Sequence, residues 1–150
     1  MLFQGEESSL RLDIVGYEFP PDGGFTGEDL DWLVLRATWS REDGTVVKDT
    51  NSCLLAGELQ SMTAGLKVLR AGVRDTYASD FLEDAYFSLS AQAAENGRFG
   101  FFVSFYLPNT MDGDDTAEIT CLMSQEELQA LTDELDGLCR KFPPRTKELS

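Results

Sequence analysis

Two segments of the chain carry the same pattern of hydrophobic positions. In each, four apolar residues follow the spacing i, i+3, i+7, i+10, which places them on one face of an α-helix. They are Leu59, Met62, Leu66 and Leu69 in the first segment and Leu128, Leu131, Leu135 and Leu138 in the second. Both segments follow stretches that are rich in apolar and β-branched residues, as strands are. The pattern predicts an internal repeat of three strands and a helix, over about residues 9–73 and 84–142.

The second half has the clearest strand signals. Apolar and polar residues alternate over residues 85–93 and again from Phe99 to Leu107, the period of a strand with one buried face. Between them, Asn96 and Gly97 suit the positive φ angles of a type I′ turn. These signals predict a β-hairpin.

A turn over residues 108–115 and a third strand over 116–123 are predicted to follow, with Ile119 and Cys121 inward. Ser124 and Glu127 are then spaced to form a capping box at the start of the second helix.

The first half has weaker signals of the same kind. Alternation changes parity near Gly16, which predicts a β-bulge in the first strand. The aromatic and β-branched residues from Trp32 to Trp39 predict a central strand. Gly72 is placed to end a helix that begins near Gly57.

Together these elements predict an α+β fold that forms one domain over residues 1–150. It has a six-stranded, mainly antiparallel sheet with both helices on one face, in the order βββα-βββα. A chain of this length buries roughly 70% of the surface that its unfolded form exposes. The fold is therefore expected to need neither disulfides nor a structural metal.

The charge of the chain limits its partners. Twenty-seven acidic residues against twelve basic ones give a formal net charge of -15. This field repels nucleic-acid phosphates and anionic membranes, and it accelerates association with a basic partner. Solubility alone is the competing explanation of the acidity. The first residues lack the features of an export signal, so we expect a cytoplasmic protein.

Few residue patterns point to catalysis or metal binding. The chain has no histidine, and its three cysteines lack metal-ligand spacing. The acidic run from Asp112 to Glu118 is read either as a weak calcium site or, preferably, as a solvated turn. Paired carboxylates such as Asp29 and Asp31 could in principle perform hydrolysis, but such pairs arise by chance in an acidic chain. We predict no enzymatic activity, no cofactor and no metal.

Four aromatic residues occupy the alternate strand positions, which point away from the main apolar face. They are Trp32, Tyr86, Phe102 and Tyr106. If the second sheet face is open, they form an aromatic patch flanked by carboxylates, which suits protein binding. If loop residues cover that face, they belong to the core. The sequence leaves both readings open.

Five short segments, spread over nearly the whole chain, have distinctive sequences. They are Ile14-Val15-Gly16-Tyr17-Glu18-Phe19-Pro20, Asp29-Leu30-Asp31-Trp32-Leu33, Cys53-Leu54-Leu55-Ala56-Gly57-Glu58-Leu59, Phe81-Leu82-Glu83 and Lys141-Phe142-Pro143-Pro144-Arg145. Together they resemble the WapI family of bacterial immunity proteins. The chain departs from the pattern of that family at Asp31, where Asn is expected, and at Asp84, where Pro is expected.

The resemblance implies a cytoplasmic antidote that binds and neutralises a cognate toxin domain. Many such toxins are nucleases with basic clefts, which an acidic surface would complement. We expect a monomer or weak homodimer that binds neither nucleic acid nor membrane. The predicted partner-binding residues are Glu28, Asp29, Asp31, Tyr86, Phe102, Tyr106, Asp112, Asp114, Asp115 and Glu118.

Two other functions are retained as alternatives. The first is a small-molecule or carbohydrate binding module, which would need a deep apolar pocket with a few convergent polar groups. The second is a hydrolase, which would need two carboxylates held about 5 to 10 Å apart in a groove.

Overall fold

The computed structural model describes residues 1–110 and 113–145, which form eight strands and two α-helices. The first half contains β1 (Leu2–Gln4), β2 (Ser9–Tyr17), β3 (Trp32–Ser40), β4 (Val46–Leu55) and then α1 (Ala56–Arg70). The second half contains β5 (Thr76–Ala78), β6 (Phe87–Ala93), β7 (Phe99–Thr110), β8 (Gly113–Met123) and then α2 (Gln125–Lys141). Four strands and a helix therefore occur twice in succession.

The strands form two antiparallel sheets of four, in the orders β1-β2-β3-β4 and β5-β6-β7-β8. The α+β class and the antiparallel pairing are confirmed, but the prediction of one six-stranded sheet is wrong. Each half closes its own ladder through hairpins, and α1 separates the last strand of one sheet from the first strand of the other. The predicted order βββα-βββα is corrected to ββββα-ββββα.

The missed strands are β1 and β5, which have three residues each. Three residues are too few to establish an alternating pattern, so their strand conformation depends on pairing with β2 and β6. The predicted turn over residues 108–115 is also wrong in extent. The ladder of β7 and β8 continues to the pair Leu107 and Asp115, and Thr110 pairs with Gly113.

Several local predictions are confirmed. The β2–β3 register shifts between Ile14 and Gly16, as the change of parity indicated. Gly72 follows α1 with φ of 77°. At the start of α2, the Glu127 amide donates to Ser124 Oγ and the Ser124 amide donates to Glu127 Oε1, both at 3.1 Å. These features depend on neighbours in sequence, which is why the sequence reveals them.

The apolar faces of both sheets and both helices meet in one hydrophobic core. Phe3 of the first sheet lies 6.3 Å from Phe101 of the second, measured between ring centroids. Leu66 of α1 and Leu135 of α2 are fully buried in the same core. Since the inward side of each sheet is used for this core, the outward side of each sheet is left for solvent or for partners.

Polar contacts fix one sheet relative to the other. The buried carboxylate of Asp49 on β4 accepts hydrogen bonds from the backbone amide and the side-chain amide of Asn109 on β7, at 3.0 and 3.2 Å. Arg41 Nη2, just after β3, lies 2.7 Å from Asp115 Oδ2 on β8. Both contacts join residues more than fifty positions apart, so they hold the two halves in register.

Burial protects the thiol of Cys53, which lies just before α1. Burial raises the pKa of Cys53 to about 12, and the nearby Glu58 and Glu83 carboxylates add to this effect. The reactive thiolate is therefore scarce at neutral pH. We expect iodoacetamide at pH 8 to leave Cys53 unmodified in the folded protein and to alkylate it rapidly in denaturant. Rapid modification of Cys53 in the folded state, detected by peptide mass spectrometry, would contradict this environment.

Candidate functional site

The outward side of the second sheet is exposed, and we call it the outer face. Alternation along β6, β7 and β8 buries every second residue and turns the others outward. Cross-strand pairing then aligns the outward residues in rows, such as Ser90, Phe102 and Thr120. The outer face consists of Ser88, Ser90, Gln92, Gly100, Phe102, Ser104, Tyr106, Asp114, Thr116, Glu118, Thr120 and Leu122.

Three of the four predicted aromatic residues lie on or beside this outer face. The rings of Tyr86 and Tyr106 pack with centroids 5.4 Å apart, and the Tyr106 hydroxyl donates to Asp114 Oδ2 at 2.9 Å. This hydrogen bond is the main reason that the pKa of Tyr106 is raised. Phe102 is 41% exposed on the same strand as Tyr106. Trp32 does not join them, because it begins β3 of the other sheet.

The predicted carboxylates of β8 have different surroundings. Glu118 is exposed on the outer face opposite Ser104, whereas Asp115 has the opposite parity and pairs with Arg41. Because strand alternation turns Asp114 and Asp115 in opposite directions, they do not form a shared cation site. Asp112 lies outside the described residues. Among the described residues, no group of three or more potential ligands is arranged for a metal ion.

The two sheets differ in how their outward charges are balanced. On the first sheet, Asp13 lies 3.3 Å from Arg11 and 3.8 Å from Arg36. On the second sheet, the described strands contain Asp114, Asp115 and Glu118 but neither lysine nor arginine. Asp115 is paired with Arg41 from outside the sheet, so the unbalanced acidity of the second sheet lies with Asp114 and Glu118.

The predicted acidic residues before β3 lie in a different place. Glu28 and Asp29 are exposed on a 3-10 turn over Gly27–Asp31. Glu28 and Asp31 line a cleft of about 680 Å³ together with Glu58, Asp80 and Tyr77, and we call this the acidic cleft. Burial, with help from Asp80 and Glu58, raises the pKa of Tyr77 to about 12.

Two carboxylates of the acidic cleft are already used by the fold. Glu58 accepts hydrogen bonds from the Leu55 amide at 3.0 Å and the Leu82 amide at 2.8 Å. Asp31 Oδ1 accepts from the Arg145 amide at 2.6 Å. The cleft is also lined by Leu55, Ala78 and Phe81, so it combines apolar walls with these carboxylates.

Arg145 holds the segment between β2 and β3. Its guanidinium donates to the carbonyls of Leu30 at 2.8 Å and Phe19 at 2.7 Å, and it lies 3.7 Å from the centre of the Tyr17 ring. The Tyr17 hydroxyl donates to the carbonyl of Pro143. The segment after α2 thus fixes the turn that carries Glu28 and Asp29.

Replacement of Arg145 by alanine should loosen this turn. The variant loses two charge-assisted hydrogen bonds and a cation–π contact at a partly exposed site, a local effect of about 1 kcal/mol. We expect faster proteolytic cleavage between residues 18 and 31 and an unchanged core. Arg145→Lys, which keeps the charge but not the planar fork, should give an intermediate rate. Equal cleavage rates in all three proteins would contradict this role.

Sequence reasoning missed part of both surfaces. Glu58, Tyr77 and Asp80 join the acidic cleft through contacts between distant segments, and no local signal marks them. Leu122 is 56% exposed on the outer face. The predicted inward placement of Ile119 and Cys121 implies an outward Leu122, so the signal for this residue was present.

Comparison with known families shows what kind of protein presents these surfaces. The family model of the Immunity protein WapI-like family matches residues 1–143. The chain belongs to this family. No curated protein and no solved structure gives a significant match.

Membership of the WapI-like family agrees with the resemblance of the short segments and supports an immunity role, which implies a toxin protein as partner. It also favours binding over catalysis as the task of the exposed surfaces. Among the described residues, neither helix is long and apolar enough to span a membrane.

Proposed function

We propose that this WapI-like protein neutralises a cognate toxin domain by binding it through the outer face of the second sheet. The observation that carries the proposal is the charge imbalance between the sheets: Asp13 is paired with Arg11 and Arg36, whereas Glu118 stands on strands without a basic residue. A surface intended only for solubility gives no reason for this difference. A basic partner does, because unpaired carboxylates attract it and orient its approach.

The aromatic residues provide the apolar part of the same interface. Interfaces are enriched in tyrosine and phenylalanine, and their central anchors supply most of the binding energy. Phe102 and Tyr106 lie on β7. Glu118 on β8 pairs with Ser104, which lies between them on β7. The toxin surface that fits this arrangement is basic and carries apolar anchors, as the substrate cleft of a nuclease can. The protein would act by occupying such a cleft or by binding beside it.

Glu28 and Asp29 are proposed as a second, smaller contact. They are exposed and stand on a turn that Arg145 fixes. Asp31 and Asp115 are assigned supporting roles, since each carboxylate already binds a basic residue or its backbone amide within the chain. Asp112 remains a proposed contact on the basis of its sequence position.

Co-expression with the toxin domain encoded immediately upstream tests the proposal. We expect the protein to restore growth and to co-purify with the toxin domain, with binding that weakens as salt is raised from about 0.1 M to about 1 M because screening shortens the range of the charges. Soluble protein that neither restores growth nor forms a complex would contradict the proposed function.

A further inference from the structure

Among the described residues, no close contact requires glycine at position 100. Gly100 lies on β7, an interior strand, opposite Gln92 on β6 and Leu122 on β8. Glycine weakens a strand, so its presence there needs a cause. A Cβ atom added at Gly100 would lie 3.8 Å from Gln92 Cγ and 3.9 Å from Leu122 Cδ2, which are ordinary contact distances. The φ angle of Gly100 is outside the left-handed region.

At two other positions, close neighbours in the chain leave little room for a Cβ atom. A Cβ atom at Gly65 would lie 2.4 Å from the ring of Tyr77. At Gly5 it would lie 3.1 Å from the carbonyl oxygen of Ser8 and 3.3 Å from that of Thr120. Both positions are crowded by the chain itself. A side chain at position 100 would fit at ordinary contact distances, so the glycine keeps the surface low there, as the close approach of another molecule requires.

Gly100 lines a groove of about 410 Å³ on the outer face. The groove is also lined by Ser90 and Phe102 of the outer face and by Ala78 of the neighbouring β5. This volume is within the range of small ligand pockets, roughly 300 to 1,000 Å³. It is large enough to receive a bulky side chain from a partner.

The surroundings of the groove specify the chemistry of that partner. Phe102 and Leu122 are exposed beside it, so the side chain that enters is best apolar. Glu118 lies diagonally across from Phe102, because Thr120 pairs with Phe102 and Glu118 with Ser104. The described strands of this sheet carry no lysine or arginine to balance Glu118. A basic residue next to the apolar side chain would therefore complete the contact.

We infer that the groove over Gly100 receives an apolar anchor residue from the basic surface of the toxin domain, with Glu118 binding a cationic neighbour of that anchor. The inference rests on the proposed function and deepens it, since it names the point of the outer face at which the toxin is held. A buried central anchor of this kind dominates the stability of a protein complex.

Filling the groove tests the inference. Gly100→Val places a β-branched side chain in the strand and obstructs the groove, so thermal stability should stay equal or rise. Affinity for the toxin domain encoded upstream, measured by calorimetry, should fall at least about tenfold. Gly100→Ala, whose methyl group meets its neighbours at ordinary distances, should give a smaller loss, and it decides the question if the valine variant does not fold.

Gly137→Ala on α2 is the matched control. It also removes a glycine without a clash, since the added Cβ would lie 3.9 Å from Arg140 Nη2, and it should leave the affinity within about twofold of the wild type.

Wild-type affinity in the folded Gly100 variants would overturn the groove inference and leave the proposed function standing. Failure of the wild-type protein to bind would overturn both. Light scattering that showed a dimer dissociated by Gly100→Val, with toxin binding unchanged, would assign the groove to a second copy and overturn the toxin as occupant.

Discussion

Replacement of Glu118 by lysine is expected to weaken binding of the toxin domain at least about tenfold, which corresponds to about 1.4 kcal/mol. Glu118 is exposed, and Ser104 is its cross-strand neighbour, so the change should alter the free energy of unfolding by less than about 0.5 kcal/mol. The loss of affinity arises because the new lysine faces a basic toxin surface, and like charges at an interface are costly. Titration calorimetry with the purified domains measures the effect.

Asp133→Lys on α2 is the matched control for this charge reversal. Asp133 is exposed, and its carboxylate accepts a hydrogen bond from the side-chain amide of Gln129 at 2.9 Å. Both variants change the net charge equally, so an effect of overall charge would appear in both. We expect the affinity of the Asp133 variant to stay within about threefold of the wild type, because screened charges away from the interface act weakly. Equal losses in the two variants would assign the acidity to general attraction and not to the outer face.

Replacement of Gly65 by alanine is expected to destabilise the protein by up to about 2 kcal/mol. In an isolated helix the same change would be favourable by about 1 kcal/mol. In the folded protein the added Cβ would lie 2.4 Å from the ring of Tyr77, so the ring or the helix must move. Overpacking of this kind costs about 1 to 3 kcal/mol, which outweighs the gain in helix propensity. Urea unfolding measures the net change.

Two further variants separate the clash from the helix. Gly137→Ala, in the other helix and without a close neighbour, should stabilise the protein by up to about 1 kcal/mol. In a Tyr77→Ala background, Gly65→Ala should also become stabilising, because the ring is gone. A stabilising Gly65→Ala in the wild-type background would show that α1 and β5 do not pack as described.

Local features of this fold could be read from the sequence, and features that depend on distant pairing could not. The hairpin of β6 and β7 is predictable because alternation and the Asn96-Gly97 turn lie within one short segment, and both turn residues indeed have positive φ. The three-residue strand β5 is not predictable, because its hydrogen bonds come from β6 and its central ring packs against Gly65 of α1. The same limit explains why one sheet was predicted where two exist.

The candidate site also has features that the sequence predicts and features that depend on distant contacts. Strand parity alone predicts that Phe102, Tyr106 and Glu118 share one side of a sheet, and they do. Parity cannot reveal that Asp115 pairs with Arg41, or that Asp31 accepts from Arg145, since these contacts join residues 74 and 114 positions apart. Nor can the sequence alone distinguish a glycine that lines a groove from any other glycine, because the difference depends on the atoms around the position of the absent Cβ.

The central claim is that the toxin binds the outer face of the second sheet. Cross-saturation NMR from an unlabelled toxin domain to methyl groups of this protein tests it most directly. Leu122 on the outer face and Val15 on the first sheet suit the comparison, because both are 56% exposed in the free protein. We predict that saturation reaches the methyl groups of Leu122 and leaves those of Val15 unaffected. Saturation of Val15 without Leu122 would place the toxin on the first sheet and contradict the account.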